Sequence, residues 1–211
     1  MICILASNNK NKARELRAFF EGNCTLLTLA DIGVSFTAGE DRGTFIGNAE
    51  QKARETAAFL RDAKKKGTVN LPDAYAVFAD DSGLVIDALD GEPGVDSALY
   101  LGADTPFDIR NADILRRMEG MPLEKRTARF VCVLAAVMPE NECVNAVGTL
   151  EGFIHTALAG DGGFGYDPIF YLPDFDKTMA QLTTEEKNSI SHRGKAMVAL
   201  MRIMEQYTWK S

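Results

Sequence analysis

The chain has 211 residues, 46% hydrophobic and 25% charged, which places it among folded globular proteins and outside the range of disordered chains. A net charge of −7 excludes a general nucleic-acid coat, because binding a phosphate backbone draws on a surplus of Lys and Arg. A small anionic ligand held by a local basic cluster stays open, whereas no apolar run approaches the length that spans a bilayer.

Residues 2–6 read as a short buried strand and residues 7–11 as a polar loop, followed by a helix with Ala13, Leu16 and Phe20 on one face. Such a start lacks the basic lead and long apolar run of a signal peptide, so the expected location is the cytoplasm, with no membrane partner. Cys3, Cys24, Cys132 and Cys143 are widely spaced with no C-x-x-C pair. They are expected as buried free thiols, not as a disulfide or zinc set. A second strand is expected over 24–29. A long helix then starts at about Thr44, with Phe45, Ala49, Ala53 and Leu60 turned inward. Lys64-Lys65-Lys66-Gly67 marks its solvated end and a surface turn.

Residues 74–79 form a buried strand whose end delivers Asp80, Asp81, Ser82 and Gly83. Thr105, Pro106 and Asp108 match an N-cap, first and third helical position, with the helix running on to Met118. Strands over 127–138 and 143–154 are expected to pair antiparallel around Pro139-Glu140-Asn141. Thr183 and Glu186 form a second capping box, and Met197, Leu200, Met201 and Met204 form a core stripe on the last helix. Strands and helices alternate early and strands crowd the middle, without repeats or a clean linker. The expected architecture is therefore α/β: one domain over 1–211 in two lobes, with an elongated mixed β-sheet flanked by helices and a central substrate cleft.

Four segments concentrate chemistry. Ser7, Asn8, Asn9, Lys10, Asn11 and Lys12 sit between a strand and a helix N-terminus, where free N–H groups and the helix dipole favour a phosphate; a plain polar turn is the alternative. Glu40, Asp80 and Asp81 are hard oxygen donors of the kind Mg²⁺ selects, although Asp-Asp-Ser-Gly also fits a simple turn. Residues 160–168 gather glycines around Phe164, Gly165, Tyr166 and Asp167, which suits close approach to a planar ligand or a flexible loop. Lys187 and Ser191-His192-Arg193-Gly194-Lys195 put cations beside the last helix, as anion or base-edge contacts or as ordinary structure; His155 reads as packing.

Taken in this order, the segments resemble the inosine and xanthosine triphosphate pyrophosphatase family. The resemblance is carried by Leu5-Ala6-Ser7-Asn8-Asn9-Lys10-Asn11-Lys12, Thr44-Phe45-Ile46-Gly47-Asn48-Ala49 with Lys52-Ala53, Ala79-Asp80-Asp81-Ser82-Gly83-Leu84, Gly162-Gly163-Phe164-Gly165-Tyr166-Asp167-Pro168-Ile169-Phe170 and Ser191-His192-Arg193-Gly194. It implies a homodimer that cuts non-standard purine nucleoside triphosphates to monophosphate and pyrophosphate with Mg²⁺, binding a small molecule and no nucleic acid.

By the same resemblance, Asp81 is the general base beside Lys52 and Lys12, and Glu40 and Asp81 face the metal. Ser7 to Lys12, Lys52 and Lys187 hold phosphates, and Ser82 contacts substrate. Phe164, Gly165, Tyr166, Asp167, His192 and Arg193 hold and read the base. Gly47 replaces a typical Glu, Asp96 and Leu99 replace a typical Tyr and Arg, and residues 61–73 look like an inserted loop. A pyrophosphatase of modified pyrimidine nucleotides and a non-catalytic nucleotide-binding protein are the rival readings.

Overall fold

Alternation of side chains along short apolar strands sets two faces of a sheet, and helices of matching apolar stripe cover them. The structure is a computed structural model that describes residues 2–20 and 24–207. Its strands are β1 (Ile2–Leu5), β2 (Thr25–Thr28), β3 (Ala76–Ile86), β4 (Thr127–Val137), β5 (Cys143–Ile154), β6 (Phe170–Leu172) and β7 (Lys177–Thr178). The helices are α1 (Lys10–Arg17), α2 (Phe45–Lys65), α3 (Phe107–Arg117), α4 (Thr184–Ile190) and α5 (His192–Met204). The strand order is β2-β1-β3-β4-β5-β6-β7. β1 runs parallel to β2 and β3, and β6 antiparallel to β5 and β7, which makes the sheet mixed as expected. No described helix is long and apolar enough to cross a membrane.

The chain forms two compact units, one of Met1–Asp81, Cys132–Gly148 and Arg193–Ser211 and one of Ser82–Val131 and Thr149–His192. In the first, Cys3, Leu5, Ala76, Phe78, Cys132 and Leu134 pack with Leu16 of α1 and Met197, Leu200 and Met204 of α5. The intervening residues Ile4, Val77, Ala79, Val133 and Ala135 pack instead with Ala49, Ala53, Ala57 and Leu60 of α2. The alanine stripe lets the α2 backbone come close, and Thr44 caps it by accepting from Gly47 N at 3.0 Å. Truncating the wholly buried Leu60 to Ala would cost about 3 kcal/mol through lost burial and a residual cavity.

The second unit packs Leu84, Ile86, Ile114, Met118, Phe130, Ile154, Ile169 and Phe170 into its own core. Buried Arg126 donates to the carbonyls of Met118, Ile154 and His155 there, which satisfies both its guanidinium and chain ends that lack ladder partners.

Several boundaries differ from the sequence expectation. β3 does not stop at Ala79 but runs to Ile86, so Asp80 and Asp81 lie inside a strand and the simple-turn alternative falls. Pro106, not Thr105, occupies the N-cap of α3, because the Thr105 hydroxyl donates to Leu101 O at 2.6 Å and makes no cap bond. Arg61 to Lys65 complete α2, and Val69 and Leu71 are buried, so only part of residues 61–73 is a surface loop. Met201 is exposed while Met197, Leu200 and Met204 are buried. All four cysteines are free, but only Cys3 and Cys132 are fully buried, and the Cys3 and Cys24 sulfurs lie 2.9 Å apart.

Candidate active site

The pleat of β3 separates its two adjacent carboxylates. Asp80 continues the face of Ala76 and Phe78, toward α1 and α5, while Asp81 continues the face of Val77 and Ala79, toward α2. Their partners follow from this. Asp80 pairs with Lys12 of α1 and accepts from Arg193 Nε of α5 at 2.8 Å and from the Cys132 thiol at 3.3 Å. Asp81 accepts instead from Lys52 Nζ of α2 at 2.8 Å.

Both carboxyls are buried, with opposite results. Burial pushes Asp80 upward, but Arg193 and Lys12 outweigh it and hold the carboxyl well below its ordinary value. At Asp81 burial prevails over Lys52 and Lys12, and its pKa is raised. Lys52 also donates to Glu40 Oε1 at 2.8 Å and to the Asp80 carbonyl at 2.9 Å. Burial pulls its pKa down, yet Asp81 and Glu40 outweigh that and keep the ammonium charged.

Asn9 caps α1 by accepting from Asn11 N at 2.9 Å and Lys12 N at 3.1 Å, and Ser7 Oγ accepts from Asn9 N at 3.2 Å. The loop is thus preformed as a tight turn at the positive end of a helix. Ser7, Asn8, Asn9 and Lys10 line a cavity of about 340 Å³ together with Arg17 and Asp31. Asn11 and Lys12 are half-buried in the first turn of α1.

The residues fit a hard divalent cation. Asp81 Oδ2 is buried and has no hydrogen-bond partner among the described residues, and Glu40 reaches the same lysine as Asp81. No cluster of three or more His, Cys, Asp or Glu suits a metal among those residues. One or two carboxylates completed by phosphate oxygens is the coordination that Mg²⁺ accepts.

In the second unit, Asp167 organises the glycine-rich loop. Its Oδ2 accepts from Phe164 N at 2.8 Å and from buried Lys187 Nζ at 2.7 Å, and the Lys187 ammonium stands 5.0 Å from the centre of the Phe164 ring. Gly163 has φ +72°, and a Cβ there would lie 2.1 Å from Asp167 Oδ2, so this turn requires glycine. Gly165 O accepts from Asn111 at 3.1 Å. Tyr166 is buried, donates to Ser97 O at 2.7 Å and meets Phe107 edge-on, as a core residue does. His192 stacks on Phe130 with centroids 4.8 Å apart. Ser82 is half-buried on β3.

The structure therefore brings together Lys12, Lys52, Glu40, Asp80 and Asp81 in the first unit, and Phe164, Asp167 and Lys187 in the second. Within its own unit, Lys187 is held by Asp167 of the loop. Arg193 has a partner that the sequence reading missed: its Nη1 donates to Glu15 of α1. The signal was present, since Lys12 and Glu15 are three apart on one helical face. His155 is half-buried, with its ring 5.3 Å from that of Tyr171 and its Nδ1 2.8 Å from Ala157 O, in keeping with packing.

A model of the Ham1 family matches residues 3–203. The dITP/XTP pyrophosphatase of Geobacillus kaustophilus is 44% identical over 199 residues, covering 93% of this chain and 91% of that protein. The dITP/XTP pyrophosphatase of Listeria monocytogenes is 41% identical and covers 98% of both chains. Among solved structures, the Staphylococcus aureus Ham1 protein superposes with a TM-score of 0.82 at 35% identity, over 98% of this chain and 99% of that one. A HAM1 protein from Coxiella burnetii gives 0.80 at 33% identity, over 98% and 100%. With a family model matching residues 3–203 and relatives at 44% and 41% identity over nearly the whole length, this chain belongs to the Ham1 family.

Proposed function

We propose that the protein hydrolyses inosine, deoxyinosine and xanthosine triphosphates to the monophosphate and pyrophosphate, with Mg²⁺. The observation that carries this is Asp81, a buried carboxylate with a raised pKa, held by a lysine that also grips Glu40. The relatives named dITP/XTP pyrophosphatase, at 44% and 41% identity, support the choice of substrate. A homodimer and a cytoplasmic location belong to the same proposal.

Residues 7–12 and Lys52 take the triphosphate, where the positive end of α1 and the three lysines Lys10, Lys12 and Lys52 meet its charge. Bound by Asp81, Glu40 and phosphate oxygens, Mg²⁺ would supply neutralisation of the charge that develops on the leaving pyrophosphate. Asp81 accepts the proton of the water that attacks the α-phosphorus, a role its raised pKa favours. Lys12 and Lys52 stabilise the transferring phosphoryl group electrostatically. Phe164, with Lys187 and Asp167 behind it, offers a face for the base, and His192 completes that side. Arg193, committed to Asp80 and Glu15, holds the phosphate-side network in place.

The test is pyrophosphate release from inosine triphosphate by the wild type and Asp81→Asn. The expected results are Mg²⁺-dependent release, loss of turnover in excess chelator, and a fall of about 10²-fold in the variant. Near-normal turnover in the variant, or full turnover in chelator, would overturn the assignment.

A further inference from the structure

Residues 37–43, which carry Glu40, have no helix or strand of their own. Their course is set by side chains of α2. Glu55 Oε2 accepts from Gly39 N at 2.8 Å, Gln51 Oε1 from Asp41 N at 3.3 Å, and Asn48 Oδ1 from Arg42 N at 2.9 Å. Residues 48, 51 and 55 follow helical spacing, so one stripe of α2 reads successive backbone amides of the loop. Gln51 Nε2 donates to Glu55 Oε1 at 2.9 Å, which locks the two acceptors to each other.

Two further contacts complete the seat. Phe36 and Phe59 stack with centroids 4.5 Å apart. At Gly47, a Cβ would lie 2.6 Å from Arg42 Cβ and 2.9 Å from Thr44 Oγ1. The missing side chain at Gly47 therefore lets the loop descend onto the first turn of α2.

We propose that Gln51 and Glu55 are positioning residues for Glu40: they fix the amides on either side of it, at Gly39 and Asp41, and so aim its carboxylate at the Lys52 and Asp81 cluster. This rests on the reading of Glu40 as a metal-facing group. With both neighbouring amides pinned, Glu40 retains only side-chain torsions, and little ordering remains to be done when a metal–nucleotide complex arrives. Gly47 serves the same end and is not simply a lost acid.

The test uses the full-length enzyme with Mn²⁺ as paramagnetic probe and α,β-imido inosine triphosphate as a nucleotide that is not cleaved. In Glu55→Ala, Mn²⁺ binding should weaken about tenfold, and amide exchange at Gly39 and Asp41 should quicken. The Mg²⁺ concentration for half-maximal turnover should rise in parallel, with turnover at saturating Mg²⁺ falling far less. Adding Glu55→Ala to Glu40→Gln should weaken Mn²⁺ no further, because a positioning residue has nothing left to position.

Gln51→Ala is the second variant, expected to act in the same direction if Glu55→Ala does not fold. Equal weakening by Glu55→Ala in both backgrounds would overturn the proposal. So would unchanged Mn²⁺ binding in Glu55→Ala where Glu40→Gln weakens it. Unchanged Mn²⁺ binding in Glu40→Gln itself would overturn the reading of Glu40 on which the proposal rests.

Discussion

Asp80 meets two cations on the α1 and α5 side of β3, and their field outweighs the cost of burying its charge; Asp81, facing α2, meets one principal cation and burial prevails. Asp80 is thus a fixed anion that orders Lys12 and Arg193, and Asp81, with its pKa raised by burial, is the better proton acceptor of the two. A carboxyl with a depressed native pKa stabilises the fold above its unfolded value, and that stability is lost as pH falls through the native value. Asp80→Asn should therefore cost about 3 kcal/mol at pH 7, because it leaves a buried guanidinium short of a charge partner. Urea unfolding of both proteins across pH is the check. The gap should persist at the ordinary carboxylate pKa and narrow only in more acidic solution. A gap that closes already near that ordinary value would mean Asp80 is not held by Arg193 and Lys12.

At the level of elements, the pattern of apolar and charged residues foretold β1, α1, α2 and the capping box of α4, because each is a local property of period or cap chemistry. Asp80 and Asp81 were legible as candidates, but their division was not. It depends on β3 continuing through Asp-Asp-Ser-Gly, a sequence whose local preference is a turn and which only its neighbours in the sheet keep extended. The role of Arg193 was hidden for a similar reason, since its partners Asp80 and Glu15 are 113 and 178 residues away. The resemblance gives Arg193 to the base; because its Nε and Nη1 tie α5 to β3 and α1, we propose instead that it positions the phosphate side. Arg193→Ala should then lower kcat/KM for inosine and adenosine triphosphates by the same factor. Measuring both substrates is the check: a loss confined to inosine triphosphate would return Arg193 to base reading.

For the whole molecule, the first unit gathers the groups suited to phosphate, metal and proton transfer, and the second gathers an aromatic ring, a cation and backbone amides suited to a base. Each set is stabilised by its own core, so in the proposed function phosphate cleavage and recognition of the base draw on separate cores. Order along the chain made the family resemblance legible, as five short motifs spread from Leu5 to Gly194, but not this division, since the sequence reading placed Lys187 with the phosphates and Arg193 with the base. The seat of Glu40 on Gln51 and Glu55 left no such mark, because backbone amides are its donors and any residue supplies those. In the proposed reaction, water attacks the α-phosphorus. This is tested most directly by turning over inosine triphosphate in ¹⁸O-water with Mg²⁺ and weighing the products. Attack at the α-phosphorus should place one heavy oxygen in inosine monophosphate and leave pyrophosphate unlabelled; label in pyrophosphate, or in released orthophosphate, would contradict it.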